Sequence, residues 1–126
     1  MSSGRLQRYL DAQEYVIEQV MKELRTGKKQ THWMWFIFPQ LKGLGRSEMS
    51  YRYGLDSAEE AAAYWAHPVL GARLRECLEA LLESKANTAV EVFGETDAMK
   101  FKSCLQLFRS VAGDDALLSR CEYKFG

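Results

Sequence analysis

The sequence is poor in the features that announce a specialised protein. It has two prolines in 126 residues and no linker, repeat or low-complexity tract, which predicts a single helical domain over residues 1–126. Its three cysteines, Cys77, Cys104 and Cys121, are odd in number and form no CxxC pair. That argues against a disulfide framework and against zinc, leaving buried free thiols in a reducing compartment. No metal and no cofactor is implied. The longest uninterrupted apolar run, Trp33 to Pro39, is too short to span a membrane, and the amino terminus has no apolar signal core. A cytoplasmic location is therefore expected. Net charge is zero, from seventeen basic and seventeen acidic residues, so no global field draws the chain to a nucleic acid polymer or to an anionic membrane. Residues 1–53 carry nine basic and five acidic side chains, and residues 54–126 carry eight and twelve, a mild dipole. Spacings for a Ser-His-Asp triad, an HExxH helix or a carboxylate dyad are missing as well.

What the sequence does have is concentrated in Thr31-His-Trp-Met-Trp-Phe-Ile-Phe-Pro-Gln-Leu-Lys-Gly-Leu-Gly-Arg-Ser47. That density of stacking, donating and anchoring side chains marks either a core keystone or a ligand site. The apolar residues follow no clean period, so a short irregular helix or turn closed by Pro39 is expected.

Elsewhere helical spacing dominates. Leu6, Tyr9, Leu10, Gln13, Val16, Ile17, Val20, Met21 and Leu24 form one amphipathic stripe ending at Gly27. The opposite face carries Arg8, Asp11, Glu14, Glu18, Lys22 and Glu23. Ser47 predicts the cap of a short helix ending at Gly54, and Ser57-Ala-Glu-Glu60 is a capping box opening another. His67-Pro68 breaks the chain before a stripe from Val69 to Leu82. Thr88-Ala-Val-Glu91 opens a short helix ending at Gly94, Asp97 is expected to cap the next up to Gly113, and Asp114 or Asp115 the last. The fold class read from this pattern is all-α, a compact single-domain orthogonal bundle of six or seven short helices.

Several residues carry chemistry, each with a plainer reading beside it. His32 could act as a general base near neutral pH, or could bond backbone at a helix start. Trp33 and Trp35 could stack a planar ligand, or belong to the core. Gly43-Leu-Gly45-Arg46-Ser47 has the parts of an anion nest, with Gln40 and Lys42 close enough to join, or is a loop leading into a capped helix. His67 reads as a loop or capping residue. Lys100 and Ser103 share one helix face and could meet in a pocket, or be an exposed lysine and a helix-facing serine. Cys104, among Phe101, Leu105 and Phe108, reads as an inert buried thiol.

Thr31–Ser47, together with Asp11-Ala-Gln13 and His67-Pro-Val-Leu-Gly-Ala-Arg-Leu74, resembles the domain-of-unknown-function 1810 family. Val92-Phe-Gly94, Asp97-x-x-Lys100-x-x-Ser103 and Leu107-Phe108 look like that family's second half. The resemblance implies a mainly helical bacterial protein and no assigned reaction. Some members carry the label "calpastatin", which implies protease inhibition, but this chain has none of that inhibitor's repetitive, disordered segments. The family pattern continues with more polar residues past Tyr123-Lys-Phe-Gly126, where this sequence stops, so a terminal contribution to a site is expected to be missing.

Two functional classes follow. The first is a domain that binds or acts on an anionic planar small molecule of the nucleotide or ADP-ribose type. Trp33 or Trp35 would then stack it, Arg46 and the Gly45–Ser47 backbone would hold phosphate, and His32 and Gln40 would orient it. The mix of aromatics, arginine and short helices is similar to that of helical proteins acting on ADP-ribose-type ligands (the NADAR group), an analogy without residue correspondence. The alternative is a non-enzymatic protein-interaction or structural module with the aromatic segment as core. Oligomeric state is left open by the sequence.

Overall fold

A computed structural model describes residues 2–44 and 47–126, and among them the chain is built from eight α-helical segments. They are α1 (Ser2–Glu14), α2 (Ile17–Thr26), α3 (Met34–Ile37), α4 (Glu48–Tyr53), α5 (Ala58–Ala66), α6 (Leu70–Glu83), α7 (Ala89–Ala112) and α8 (Ala116–Phe125). The all-α class read from the sequence is the one that forms. No helix among the described residues is long and apolar enough to cross a membrane.

The count rises to eight partly because the first amphipathic stripe is two helices. At Tyr15–Val16 the ladder tightens, with Val16 N–H donating to the Gln13 carbonyl at 3.1 Å. No glycine or proline marks this break. Its cause is tertiary: α1 packs on α3 and α5, whereas α2 packs on α6, and a straight helix could not serve both. Gln13 sits on the buried side as the stripe implied, its amide donating to the Phe36 carbonyl at 2.8 Å and to the Tyr64 hydroxyl at 3.0 Å. Glu23, expected on the solvent face, is instead 3 % exposed. Burial raises its pKa, but hydrogen bonds from Thr31 Oγ1, the Gln30 and Thr31 backbone N–H groups and Gln19 outweigh that and hold it at about 2.

Local capping chemistry sets most of the remaining ends. Ser47, Ser57, Thr88 and Asp115 each accept the backbone N–H three residues on, at 3.0–3.1 Å, satisfying donors the first turn leaves open. Asp97 does not cap. The expected pair of helices runs together as α7, interrupted at Gly94, where φ is 81° and ψ 168°, a conformation open only to glycine. Asp97 therefore falls inside the continued helix, and its carboxylate is free to pair with lysines.

The aromatic run behaves as a keystone for most of its length. Trp33, Met34, Phe36, Ile37 and Phe38 are all buried. Phe38 packs edge-on to Phe93 and Phe101, with ring centroids 5.8 and 5.0 Å apart. Cys77, Cys104 and Cys121 are free and buried. Burial pushes the Cys77 and Cys121 thiols up to about 12 and raises Cys104 too, so all three stay protonated and inert near neutral pH.

Candidate functional site

Past Pro39 the chain runs extended and is pinned to the segment after α4. Leu55 N–H donates to the Gln40 carbonyl at 2.9 Å, and Lys42 N–H donates to the Leu55 carbonyl at 2.8 Å. Gly54 makes this approach possible, because a Cβ there would lie 2.6 Å from Lys42 Cα. The two strands of backbone hold Gln40 against the start of α4 and the middle of α7. Between these elements lies a cleft of about 510 Å³. Gln40, Ser47 and Ser50 form one wall, while Thr96, Lys100 and Ser103 on one face of α7 form the other. Leu44 and Met99, both exposed, line it as well. A recess of about 10 Å³ adjoins it, lined by Trp35, Phe38 and Tyr53 and sharing Gln40, Ser50 and Lys100 with the cleft.

Ser47 and Ser50 bond each other, but two polar groups here find no partner among the described residues. Trp35 Nε1 is buried and has no acceptor among the described residues. An unmet buried donor costs about 1–3 kcal/mol, and it stands alone in this respect among the described side chains. The Gln40 side chain is 9 % exposed, and no described residue takes up its carboxamide. Lys100 Nζ lies 5.0 Å from the Trp35 ring centroid and donates to Asp97 Oδ1 at 3.1 Å. Asp97 is shared: its Oδ2 lies 3.1 Å from Lys29 Nζ, and that ammonium in turn stands 5.2 Å from the Trp33 ring centroid. Two cations on one carboxylate leave a net positive charge beside the cleft. No carboxylate lines the cleft or the recess among the described residues.

The sequence-derived candidates divide accordingly. Trp35, Gln40 and Ser47 line the cleft or its recess, and Lys100 and Ser103 join them. Trp33 is 1 % exposed, and its Nε1 donates to Glu23 at 3.0 Å. Its ring has no face left for a ligand, which corrects the stacking role considered for it. Lys42 turns away to Asp56 Oδ1 at 3.0 Å and the Tyr51 ring, so it is not a cleft residue. His32 is exposed, lines neither space and hydrogen-bonds to no described residue, so the geometry brings it no orienting acid. His67 caps α6, its Nδ1 accepting the Val69 and Leu70 N–H groups at 3.1 Å. Gly45 and Arg46, the heart of the expected anion nest, lie outside the described residues. Leu44, Thr96, Met99 and the Lys29–Asp97 pairing escaped sequence reading. The helical spacing of Thr96, Met99, Lys100 and Ser103 was the available signal. A larger groove of about 640 Å³ between α6 and α8, lined by Leu82, Ser119, Arg120, Tyr123 and Lys124, holds no comparable unmet polar group.

The two halves of the cleft come from the two sequence segments that suggested the family. The family model described as "Protein of unknown function (DUF1810)" matches residues 3–125. The chain belongs to that family. Among solved structures it is similar to the conserved hypothetical protein Rv1873 from Mycobacterium tuberculosis. The two are 41 % identical with a TM-score of 0.91, over 95 % of this chain and 86 % of that one. No curated protein matches the chain. Membership in DUF1810 therefore establishes the fold and leaves the chemistry of the site to be argued from its residues.

Proposed function

We propose that this DUF1810 domain binds an anionic small molecule bearing a planar group, of the nucleotide or ADP-ribose type, in the cleft between Gln40, α4 and α7. The observation that carries this reading is the excess of donors. Trp35 Nε1 has no acceptor, the Gln40 carboxamide is uncommitted, and Lys100 is the cation. A ligand rich in acceptor oxygens and negative charge supplies what these groups lack. The volume of about 510 Å³ falls within the range of roughly 300–1,000 Å³ common for small-molecule sites. Trp35 enters this reading as a donor more than as a stacking surface, because the Lys100 ammonium already stands over its ring.

Thermal-shift and calorimetric titration with AMP, ADP and ADP-ribose tests it. A ligand at about a hundredfold over its Kd stabilises by about 2.7 kcal/mol, which raises Tm by several degrees, and Lys100→Met should abolish most of that gain. If millimolar nucleotide leaves the wild-type Tm unchanged, or shifts Lys100→Met equally, the cleft is not such a site.

A further inference from the structure

Exposure along the cleft is graded, from Gln40 at 9 % to the exposed Leu44 and Met99. At the enclosed end Trp35, Gln40 and Lys100 stand with Met34, Phe38, Ser50 and Tyr53 around a recess of about 10 Å³, which takes one water-sized group and no ring. At the outer end, Leu44 is 62 % exposed and Met99 71 % exposed. These two large apolar side chains come from distant parts of the chain and border the same cleft. Thr96 and Ser103 line it one helical turn on either side of Lys100, adding hydroxyls that can donate to the same ligand oxygens.

We infer that the ligand binds with its anionic group inward, against Lys100, Trp35 and Gln40, and with its planar body outward, gripped between Leu44 and Met99. This rests on the binding reading above and adds a direction and a pair of specificity-determining residues. The chemistry required is one anionic head joined to a body with a flat ring face, as in a nucleoside monophosphate. A flat ring cannot enter the recess, whereas a phosphoryl oxygen fits it and meets donors there. The flexible Met99 thioether and the Leu44 side chain adapt to a ring face and lose water-exposed apolar surface when covered. It assigns the phosphate to Lys100 and its neighbours, and not to the Gly43–Ser47 segment that the sequence suggested.

Calorimetry with AMP, and with inorganic phosphate read as a competitor of AMP, tests the direction, with the unliganded Tm of each variant reporting the fold. Lys100→Met should weaken both AMP and phosphate by at least about tenfold. The double variant Leu44→Ala with Met99→Ala should weaken AMP by roughly fivefold and leave phosphate unchanged. Arg46→Ala should leave phosphate within about twofold of wild type. The orientation is overturned if the double variant binds AMP like wild type, or if Arg46→Ala removes phosphate binding while Lys100→Met keeps it. Loss of AMP binding in Lys100→Met beside an unaffected double variant would sink the orientation alone. Absence of any AMP binding in wild type would sink the binding reading and the orientation together.

Discussion

The indole Nε1 of Trp33 donates to Glu23 Oε1 at 3.0 Å, joining the aromatic segment to α2 through a carboxylate sealed in the core. The same carboxylate accepts the Gln30 and Thr31 backbone N–H groups at 2.7 and 3.0 Å, Thr31 Oγ1 at 2.7 Å and Gln19 Nε2 at 3.0 Å. No cation is needed. Five donors converge on two oxygens, and they fix where the link from α2 enters the keystone.

Glu23 should therefore make stability pH-dependent. Its folded pKa of about 2 lies below the ordinary 4.5, so its contribution is fully present above the unfolded value and is lost as pH falls from about 4.5 through 2. The shift is equivalent to roughly 3 kcal/mol. Glu23→Gln replaces one acceptor oxygen with a donor that faces other donors, and should cost about 3 kcal/mol near neutral pH. Urea melts of wild type and Glu23→Gln should converge as pH is lowered toward 3. A stability gap that stays constant across that range would show that the carboxylate's charge is not what those donors hold.

Much of the helical frame was legible in the sequence because its signals are local. Ser47, Ser57, Thr88 and Asp115 cap their own helices, and each bond spans three residues. The break at Tyr15–Val16 was illegible because its cause is the different partners of α1 and α2, and neither residue is a helix breaker. Glu23 has the spacing of a solvated side chain, and only the arrival of Gln30 to Trp33 makes its burial affordable. The site was half legible. Trp35, Gln40 and Ser47 could be chosen from their own segment, and Lys100 and Ser103 from theirs. Nothing in either segment states that they face each other.

The tryptophans Trp33 and Trp35 should differ sharply in what mutation costs. Trp33→Ala empties a core position and removes a donor from Glu23, with an expected cost of about 3–5 kcal/mol. Trp35→Phe deletes the buried N–H that has no acceptor while keeping most of the ring, so stability should change by less than about 1 kcal/mol. If Nε1 is used for ligand, the same variant should bind AMP more weakly despite its normal stability. Denaturant melts beside calorimetry separate the two effects, and a large stability loss in Trp35→Phe would contradict the unmet donor.

Gly54→Ala should damage the cleft through the fold. The added methyl would lie 2.6 Å from Lys42 Cα and 2.7 Å from the Ser50 carbonyl, both backbone atoms with little room to give. The segment carrying Gln40 must move away or α4 must shift, at about 1–3 kcal/mol. Amide exchange at Lys42 and Leu55 should accelerate, because the bonds from Lys42 N–H to the Leu55 carbonyl and from Leu55 N–H to the Gln40 carbonyl depend on this approach. Unchanged protection at both amides would mean that the pairing tolerates the methyl.

Asp97 tunes the charge that Lys100 presents. It pairs with both Lys29 and Lys100 at 3.1 Å, and its side chain is 20 % exposed, so the interaction is only partly screened. Asp97→Asn keeps an acceptor oxygen for one lysine but removes the negative charge, leaving two cations beside the cleft. Stability should fall by no more than about 1 kcal/mol, the scale of a partly exposed ion pair. Affinity for AMP should rise a few-fold at low ionic strength, and the gain should fade toward about 1 M salt, where the screening length is about 3 Å. Calorimetry at several salt concentrations reads this directly. A fall in affinity at low salt would mean that Asp97 matters by aiming the Lys100 ammonium rather than by offsetting its charge.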